Sequence, residues 1–215
     1  METIEQGSNE WFELRIGKIT ASRLSDVLAS GRGGSESLTR IKYRNELIRE
    51  RLTGKRLEGY SNPSMERGTL LEPLARASYE VKNNVMVEQV AFVQHFNNLP
   101  AGASPDGLVG DNGLIEIKCP DPANHIANIL DNGQSMKAKY NNQIQWQLAC
   151  CGPQRQWCDL ISFDPDMNND LQLFVVRVKR DNDYIKFMEE EVMKFDNEIT
   201  ETILKLKERQ NANNT

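Results

Sequence analysis

Apolar residues fall into two kinds of spacing along this chain. In some stretches they recur every third or fourth position, and in others they alternate. The first pattern places them on one stripe of a helix, the second on one face of a strand. The longest helical stretch runs from about Asp181 to Glu208, with Tyr184, Met188, Val192, Phe195, Ile199, Ile203 and Leu206 on its apolar stripe. Ser37 to about Leu52 has the same spacing at Leu38, Ile41, Leu47, Ile48 and Leu52, and Gly54 stops it. Met65 to about Lys82 carries Leu70, Leu71, Leu74, Ala77, Tyr79 and Val81, after an opening Asn62-Pro63-Ser64. Asp121-Pro122 starts a further helix, with Pro suited to the first turn, and Asn132-Gly133 ends it. Lys137 to Cys151 is again helical, with Tyr140, Ile144, Leu148 and Cys151 facing inward. In that helix Gln143, Gln145 and Gln147 interleave with Trp146, and glutamines in such a row are usually solvated.

Alternation marks Val85 to Phe96 as one strand, or two with a kink, and Leu99 to Ala103 as a short extended piece. Gln154 to Phe163 and Leu171 to Lys179 read as two strands around an Asp164-Pro165-Asp166 turn, the second being rich in β-favouring residues. Near the N-terminus, Trp11, Leu14 and Phe12 mark a short helix that Gly17 ends. Thr20 or Ser22 then caps a second helix with Leu24, Val27 and Leu28 as its buried face. Such a helix start beside Arg15 is either ordinary capping with a surface arginine or an anion site, since free N–H groups and the helix dipole favour phosphate. The Gly-rich loop Ser30 to Ser35, which holds Arg32, is either an inert linker or a mobile basic flap. It lacks the Gly-Lys-Ser/Thr of a Walker-type loop.

The most informative stretch runs from Ala103 to Pro120. Asp106 sits in a Pro-Asp-Gly turn, and an Asp111-Asn112-Gly113 turn precedes the apolar strand Leu114 to Lys118. Asp-Gly and Asn-Gly pairs between apolar runs are a strong hairpin signal. Alternation then directs Glu116 and Lys118 to one side, with Ile115 and Ile117 pointing into the core. The hairpin returns Asp106 to the side of Glu116. Two carboxylates and an ammonium at a strand end make an oxygen-rich site of the kind that suits Mg²⁺ or Mn²⁺. The alternative is a surface hairpin with a solvated salt bridge.

The chain has 215 residues, 39% hydrophobic and 27% charged, which suits one large globular domain spanning residues 1–215, with residues 209–215 as a disordered tail. No apolar run approaches the length needed to span a membrane, and the acidic start lacks the apolar segment of a signal peptide, so a cytoplasmic protein is expected. The net charge of −5 argues against a uniformly basic coat for nucleic acid but leaves room for a local basic channel. Cys119, Cys150, Cys151 and Cys158 have no zinc-ligand spacing and all follow Lys118, so free thiols in a reducing compartment are expected. His95 and His125 sit in no ligand-spaced cluster and are read as structural or exposed.

Five stretches resemble, in order, the phage lambda exonuclease and YqaJ-type viral recombinase family of the PD-(D/E)xK nucleases. They are Glu10 to Ser22, Arg67 to Glu72, Ser104 to Leu108, Leu114 to Pro120 and Tyr140 to Gln145. The resemblance implies an α/β fold of the mixed α+β kind, with a central mixed sheet flanked by helices and a restriction-endonuclease-like core. It implies that Glu72, Asp106 and Glu116, with the backbone carbonyl of Ile117, hold two Mg²⁺ ions, for which Mn²⁺ can substitute. Lys118 would orient or activate water, and Gln143 would support the site with Tyr140 beside it. Arg15, Ser22 and Arg32 would bind a 5′-terminal phosphate, and Met65 would wedge the end pair apart. Where the wider superfamily often has a tyrosine four residues after this glutamine, this chain has Gln147.

The implied activity is 5′→3′ digestion of linear double-stranded DNA, leaving 3′ overhangs for phage-type recombination. The implied partners are two further copies in a homotrimeric ring and a phage single-strand annealing protein, in the bacterial host cytoplasm. The alternatives are an endonuclease of the same fold and a catalytically silent DNA-binding module.

Overall fold

The computed structural model describes residues 4–31, 33, 35–57 and 63–213; Arg32 and the last two residues of the tail lie outside the described residues. A five-stranded mixed sheet forms the centre. In chain order its strands are β2 (Val87–Glu88), β5 (Gly107–Val109), β6 (Gly113–Lys118), β7 (Trp157–Phe163) and β8 (Leu173–Lys179), and they lie in that order across the sheet. β6 and β7 are parallel, and the other neighbouring pairs are antiparallel. The parallel pair requires a long crossover. Helices α5 (Pro122–Leu130) and α6 (Gln134–Cys150) supply it. A smaller sheet of β1 (Ile19–Thr20), β4 (Ala101–Ala103) and β3 (Val93–Gln94) stands beside it.

The remaining helices are α1 (Asn9–Arg15), α2 (Leu24–Val27), α3 (Leu38–Thr53), α4 (Pro63–Asn83), α7 (Asn169–Gln172) and α8 (Asn182–Ala212). One face of the main sheet, with Leu114 and Leu160, packs on a core that includes Ile144 and Leu148 of α6, Leu47 of α3 and Met188, Val192 and Phe195 of α8. The other face, with Ile115, Ile117 and Ile161, packs on Ala75 and Tyr79 of α4.

β6 is therefore buried on both faces: Ile115 and Ile117 lie in the core as expected, and Glu116 on the opposite side is only 2% exposed, which rules out the alternative of a solvated surface hairpin. Several other expectations change. The Val85 to Phe96 stretch forms two two-residue strands that belong to different sheets. The second N-terminal helix is a 3₁₀ turn followed by the four residues of α2, and Thr20 makes no side-chain cap. Its N–H instead donates to the hydroxyl of Tyr43, 3.1 Å away. Neither reading of this helix start holds in its simple form: Thr20 caps nothing, and the four residues of α2 are too short to offer an anion site of their own.

Leu38 and Leu52 of α3 are exposed, and Tyr43 and Glu50 are buried in their place. Leu70, Leu74 and Val81 of α4 are also exposed, because the helix meets the sheet along the stripe of Ala75, Arg76 and Tyr79. The strands after residue 154 start late: Trp157 opens β7, and Leu171 and Gln172 close α7 before β8. Gln145 and Gln147 are buried. Gln145 is held by Lys179 and Asp181. Helix α8 continues through Ala212, past the expected end at Glu208, because neither Gly nor Pro interrupts Arg209 to Ala212. Both histidines are buried and structural, and the four cysteines are free thiols. Among the described residues no helix is long and apolar enough to cross a membrane.

Candidate active site

The β5–β6 hairpin builds the first part of the site. Gly107 pairs with Ile115 and Val109 with Gly113, around a turn in which Gly110 takes a φ of 50°. This register sets Asp106 opposite Glu116. The Oδ2 of Asp106 accepts a hydrogen bond from the backbone N–H of Ile117 at 2.6 Å. Glu116, buried against α6, uses both carboxylate oxygens. Oε1 accepts from Lys118 Nζ at 2.5 Å and from Gln143 Nε2 at 2.6 Å, and Oε2 accepts from Gln147 Nε2 at 2.6 Å. Gln143 and Gln147 are one helical turn apart on α6, so both amides reach the same carboxylate. Lys118 Nζ also lies 4.7 Å from the centre of the Tyr140 ring.

Glu72 comes from α4. It is ion-paired to Arg76 one turn further along, and Arg76 Nε also donates to the backbone carbonyl of Asp106 at 3.2 Å. Arg76 thereby ties the helix carboxylate to the hairpin.

The three acids feel one another. Burial raises the Asp106 carboxyl well above its ordinary range, and the charges of Glu116 and Glu72 add to that. Burial raises Glu72, while Arg76 opposes the rise and Glu116 adds to it. Burial alone would lower the Lys118 ammonium, but Glu116 and Asp106 together carry it above its ordinary value. Among the described residues no three acidic, histidine or cysteine side chains converge as a ready chelate. The donor chemistry nevertheless fits a hard divalent cation. Asp106 and Glu116 face each other across the hairpin, the charges of Glu116 and Glu72 act on Asp106, and Lys118 and Arg76 hold oxygens that such a cation would take.

The other sequence candidates lie on a cleft of about 950 Å³ whose wall includes Arg15, Ser22, Met65 and Glu72. Glu72 thus belongs both to the acid cluster and to the cleft. Arg15 lies over the ring of Trp11, and its Nη1 donates to the Ser104 hydroxyl at 3.1 Å. Burial lowers the Arg15 guanidinium to about 10, and nearby Arg56 contributes to the drop. Met65 is exposed on the rim. The structure therefore brings together Glu72, Asp106, Glu116, Ile117, Lys118, Tyr140 and Gln143 in one cluster, with Arg15, Ser22 and Met65 on the adjoining cleft. Arg76 and Ser104 were missed by sequence reasoning, and so was the bond from Gln147. The spacing of Glu72 and Arg76, and of Gln143 and Gln147, by four on a helix was the available signal.

The profile of the YqaJ-like viral recombinase domain matches residues 10–154, a span that contains every residue of this cluster and Arg15, Ser22 and Met65 of the cleft. The chain belongs to the YqaJ-like viral recombinase family. Among solved structures, an alkaline exonuclease from Laribacter hongkongensis is 42% identical over 97% of this chain and 100% of its own, with a TM-score of 0.84. The same enzyme solved with dAMP gives 43% identity and a TM-score of 0.85. A phage-related exonuclease from Haemophilus somnus 129PT, at 17% identity, covers 88% of this chain and 96% of its own with a TM-score of 0.71, and shares the fold. No curated protein matches the chain. The mixed sheet flanked by helices is accordingly the PD-(D/E)xK architecture, here in a member of the recombinase family.

Proposed function

We propose that the chain is a divalent-metal-dependent 5′→3′ exonuclease of linear double-stranded DNA that leaves 3′ overhangs for phage-type recombination by single-strand annealing. One observation carries this reading above the others: Glu72 stands at once close enough to Glu116 to feel its charge and on the wall of the cleft that holds the half-buried cation Arg15. The alkaline exonuclease activity named for the Laribacter relative supports it.

In this reading Glu72, Asp106, Glu116 and the carbonyl of Ile117 hold two Mg²⁺ ions, with Mn²⁺ as a substitute. When bound, such ions supply neutralisation of phosphoryl charge and a water acidic enough to lose its proton near neutral pH. Gln143 and Gln147 fix the Glu116 carboxylate, and Arg76 fixes Glu72 relative to Asp106. Lys118, kept as an ammonium by its acidic neighbours, orients the attacking water and adds positive charge where the phosphorane develops. Tyr140 supports Lys118. Arg15, Ser22 and Arg32 take the 5′-terminal phosphate, and Met65 separates the end pair. The working assembly is a homotrimeric ring in the host cytoplasm, partnered by a phage annealing protein, with residues 1–215 acting as one nuclease domain.

The test is digestion of end-labelled linear duplex bearing either a 5′-phosphate or a 5′-hydroxyl, next to covalently closed circular DNA, in Mg²⁺ and in EDTA. The expected result is Mg²⁺-dependent release of mononucleotides from the 5′-phosphorylated strand, with circles intact. Nicked or linearised circles would instead assign an endonuclease.

A further inference from the structure

Arg15, which the proposed function assigns to the 5′-terminal phosphate, shares its arrangement on the cleft wall with two cations that reading leaves unused, Lys18 and Arg56. Arg15 Cζ is 4.2 Å from the centre of the Trp11 ring and 6.0 Å from that of Phe92. Lys18 Nζ is 4.9 Å from the Phe92 ring, and Arg56 Cζ is 3.4 Å from the Phe12 ring. All three cations line the same cleft. Among the described residues none of the three has a carboxylate within 4.0 Å. Arg23 stands over Tyr43 on the same wall but is neutralised by Asp26 and Glu46. Glu46, Glu50, Glu66 and Glu72 line the same cleft, and Glu50 acts on Arg15 through its charge, but Arg15, Lys18 and Arg56 are in direct ion pairs with none of them and remain available to an anionic ligand.

The rings hold these cations in place. A cation over an aromatic face is attracted by the ring quadrupole, and its long side chain loses rotamer freedom in advance of binding. Phe92 is itself pressed on the β4 backbone: a Cβ on Gly102 would stand 2.2 Å from a Phe92 ring carbon. Burial lowers the ammonium of Lys18 as it does the guanidinium of Arg15, so an anionic ligand restores what desolvation costs both groups. With a cation over each ring, the ring face turned to that cation is closed to a nucleobase. The chemistry left to the cleft wall is that of charge.

Resting on the nuclease reading, we propose that Lys18 and Arg56 form with Arg15 an aromatic-backed shelf that binds backbone phosphates of the DNA strand entering the cleft, with Trp11, Phe12 and Phe92 backing the cations and stacking no bases. Binding here is independent of base sequence, because phosphates carry none.

The experiment is fluorescence anisotropy with the full chain and short 5′-phosphorylated duplexes of two unrelated sequences, in EDTA, over a series of salt concentrations. Each phosphate contact contributes about −0.9 to the slope of log K against log salt. The Lys18→Gln/Arg56→Gln double variant is expected to flatten that slope by about 1.8 and to weaken binding equally for both sequences. Arg56→Gln alone, at an exposed position, is expected to flatten it by about 0.9. Phe12→Leu keeps the charge and is expected to weaken binding about two- to fivefold with the slope nearly unchanged. Wild-type affinity and slope in the double variant would overturn the shelf, and so would a loss that differed between the two sequences. A wild type that digests linear duplex while the double variant binds normally removes the shelf alone. A wild type that fails to digest removes the nuclease reading, and the slopes still report on the shelf.

Discussion

Glu116 concentrates the chemistry of this protein in one side chain. A carboxylate only 2% exposed is tolerable because three donors, Lys118, Gln143 and Gln147, satisfy its two oxygens. Removing one donor leaves a buried acceptor short of a partner. Lys118→Ala is expected to abolish digestion and to lower unfolding stability by about 1–3 kcal/mol, read from urea denaturation. Gln147→Leu positions no substrate directly, and a loss of about 10- to 100-fold in kcat with KM little changed is expected, as for groups that orient ligating side chains.

Asp106→Asn behaves differently. It removes one of three mutually repelling carboxylates, so in EDTA its thermal midpoint should equal or exceed that of the wild type while activity disappears. A fall in the midpoint would mean that the acids do not repel one another.

His95 provides an independent pH signal away from the acids. It stacks on Trp146 with ring centres 4.9 Å apart, and burial followed by the charge of Arg180 lowers it to about 4. Its Nε2 lies 3.2 Å from Glu189 without a hydrogen-bond alignment, so the carboxylate does not rescue the protonated ring. Between the ordinary histidine value near pH 6.5 and pH 4, the unfolded chain takes up a proton that the folded chain refuses. Stability is therefore complete above that window and falls as pH drops through it, by at most about 1.4 kcal/mol per pH unit. His95→Phe should retain the stacking and flatten this part of the profile.

Among elements, β6 does the most. It lies between β5 and β7 with helices on both faces, so a single strand presents Glu116 to α6 and Ile115 and Ile117 to α4. The sheet is tied to α4 a second time through Asp159 on β7. That buried carboxylate accepts from the Tyr79 hydroxyl at 2.8 Å and from Arg177 of β8 at 2.7 and 2.8 Å. Tyr79→Phe removes one donor from it, and a loss of about 1–3 kcal/mol is expected in the same urea assay, with digestion retained. If activity fell with stability unchanged, α4 would be positioned by this bond and not by its packing.

At the scale of the whole molecule, an acidic chain presents a cleft with cations held against rings, and the proposed shelf is the local positive charge that a polyanionic substrate requires of a chain with a net charge of −5. The ring assembly is tested by mass in solution. Sedimentation equilibrium is expected to return three chain masses, and a stable monomer that still digested duplex processively would remove the ring while leaving the chemistry in place.

The local parts of the site were legible in the sequence because local chemistry dictates them. Turn residues on either side of an apolar run set the β5–β6 register, and that register alone carries Asp106 to Glu116. Helical spacing located α3, α4, α6 and α8 to within a few residues at most ends. Periodicity did not show which face of a helix meets the body: Leu70, Leu74 and Val81 read as core and are exposed, while Gln145 and Gln147 read as solvated and are buried. The reason is that hydrophobic spacing defines a stripe, whereas the neighbour it meets is set by crossings between elements far apart in sequence. Glu72 reaches the hairpin, Arg76 bridges them and Gln147 reaches Glu116 only once α4 and α6 are laid on opposite faces of the sheet. The sequence by itself determined the hairpin and its acid pair with lysine. The tertiary structure decided how that lysine is held, which third acid joins them, and that cations lying on aromatic rings stand on the wall of the cleft beside them.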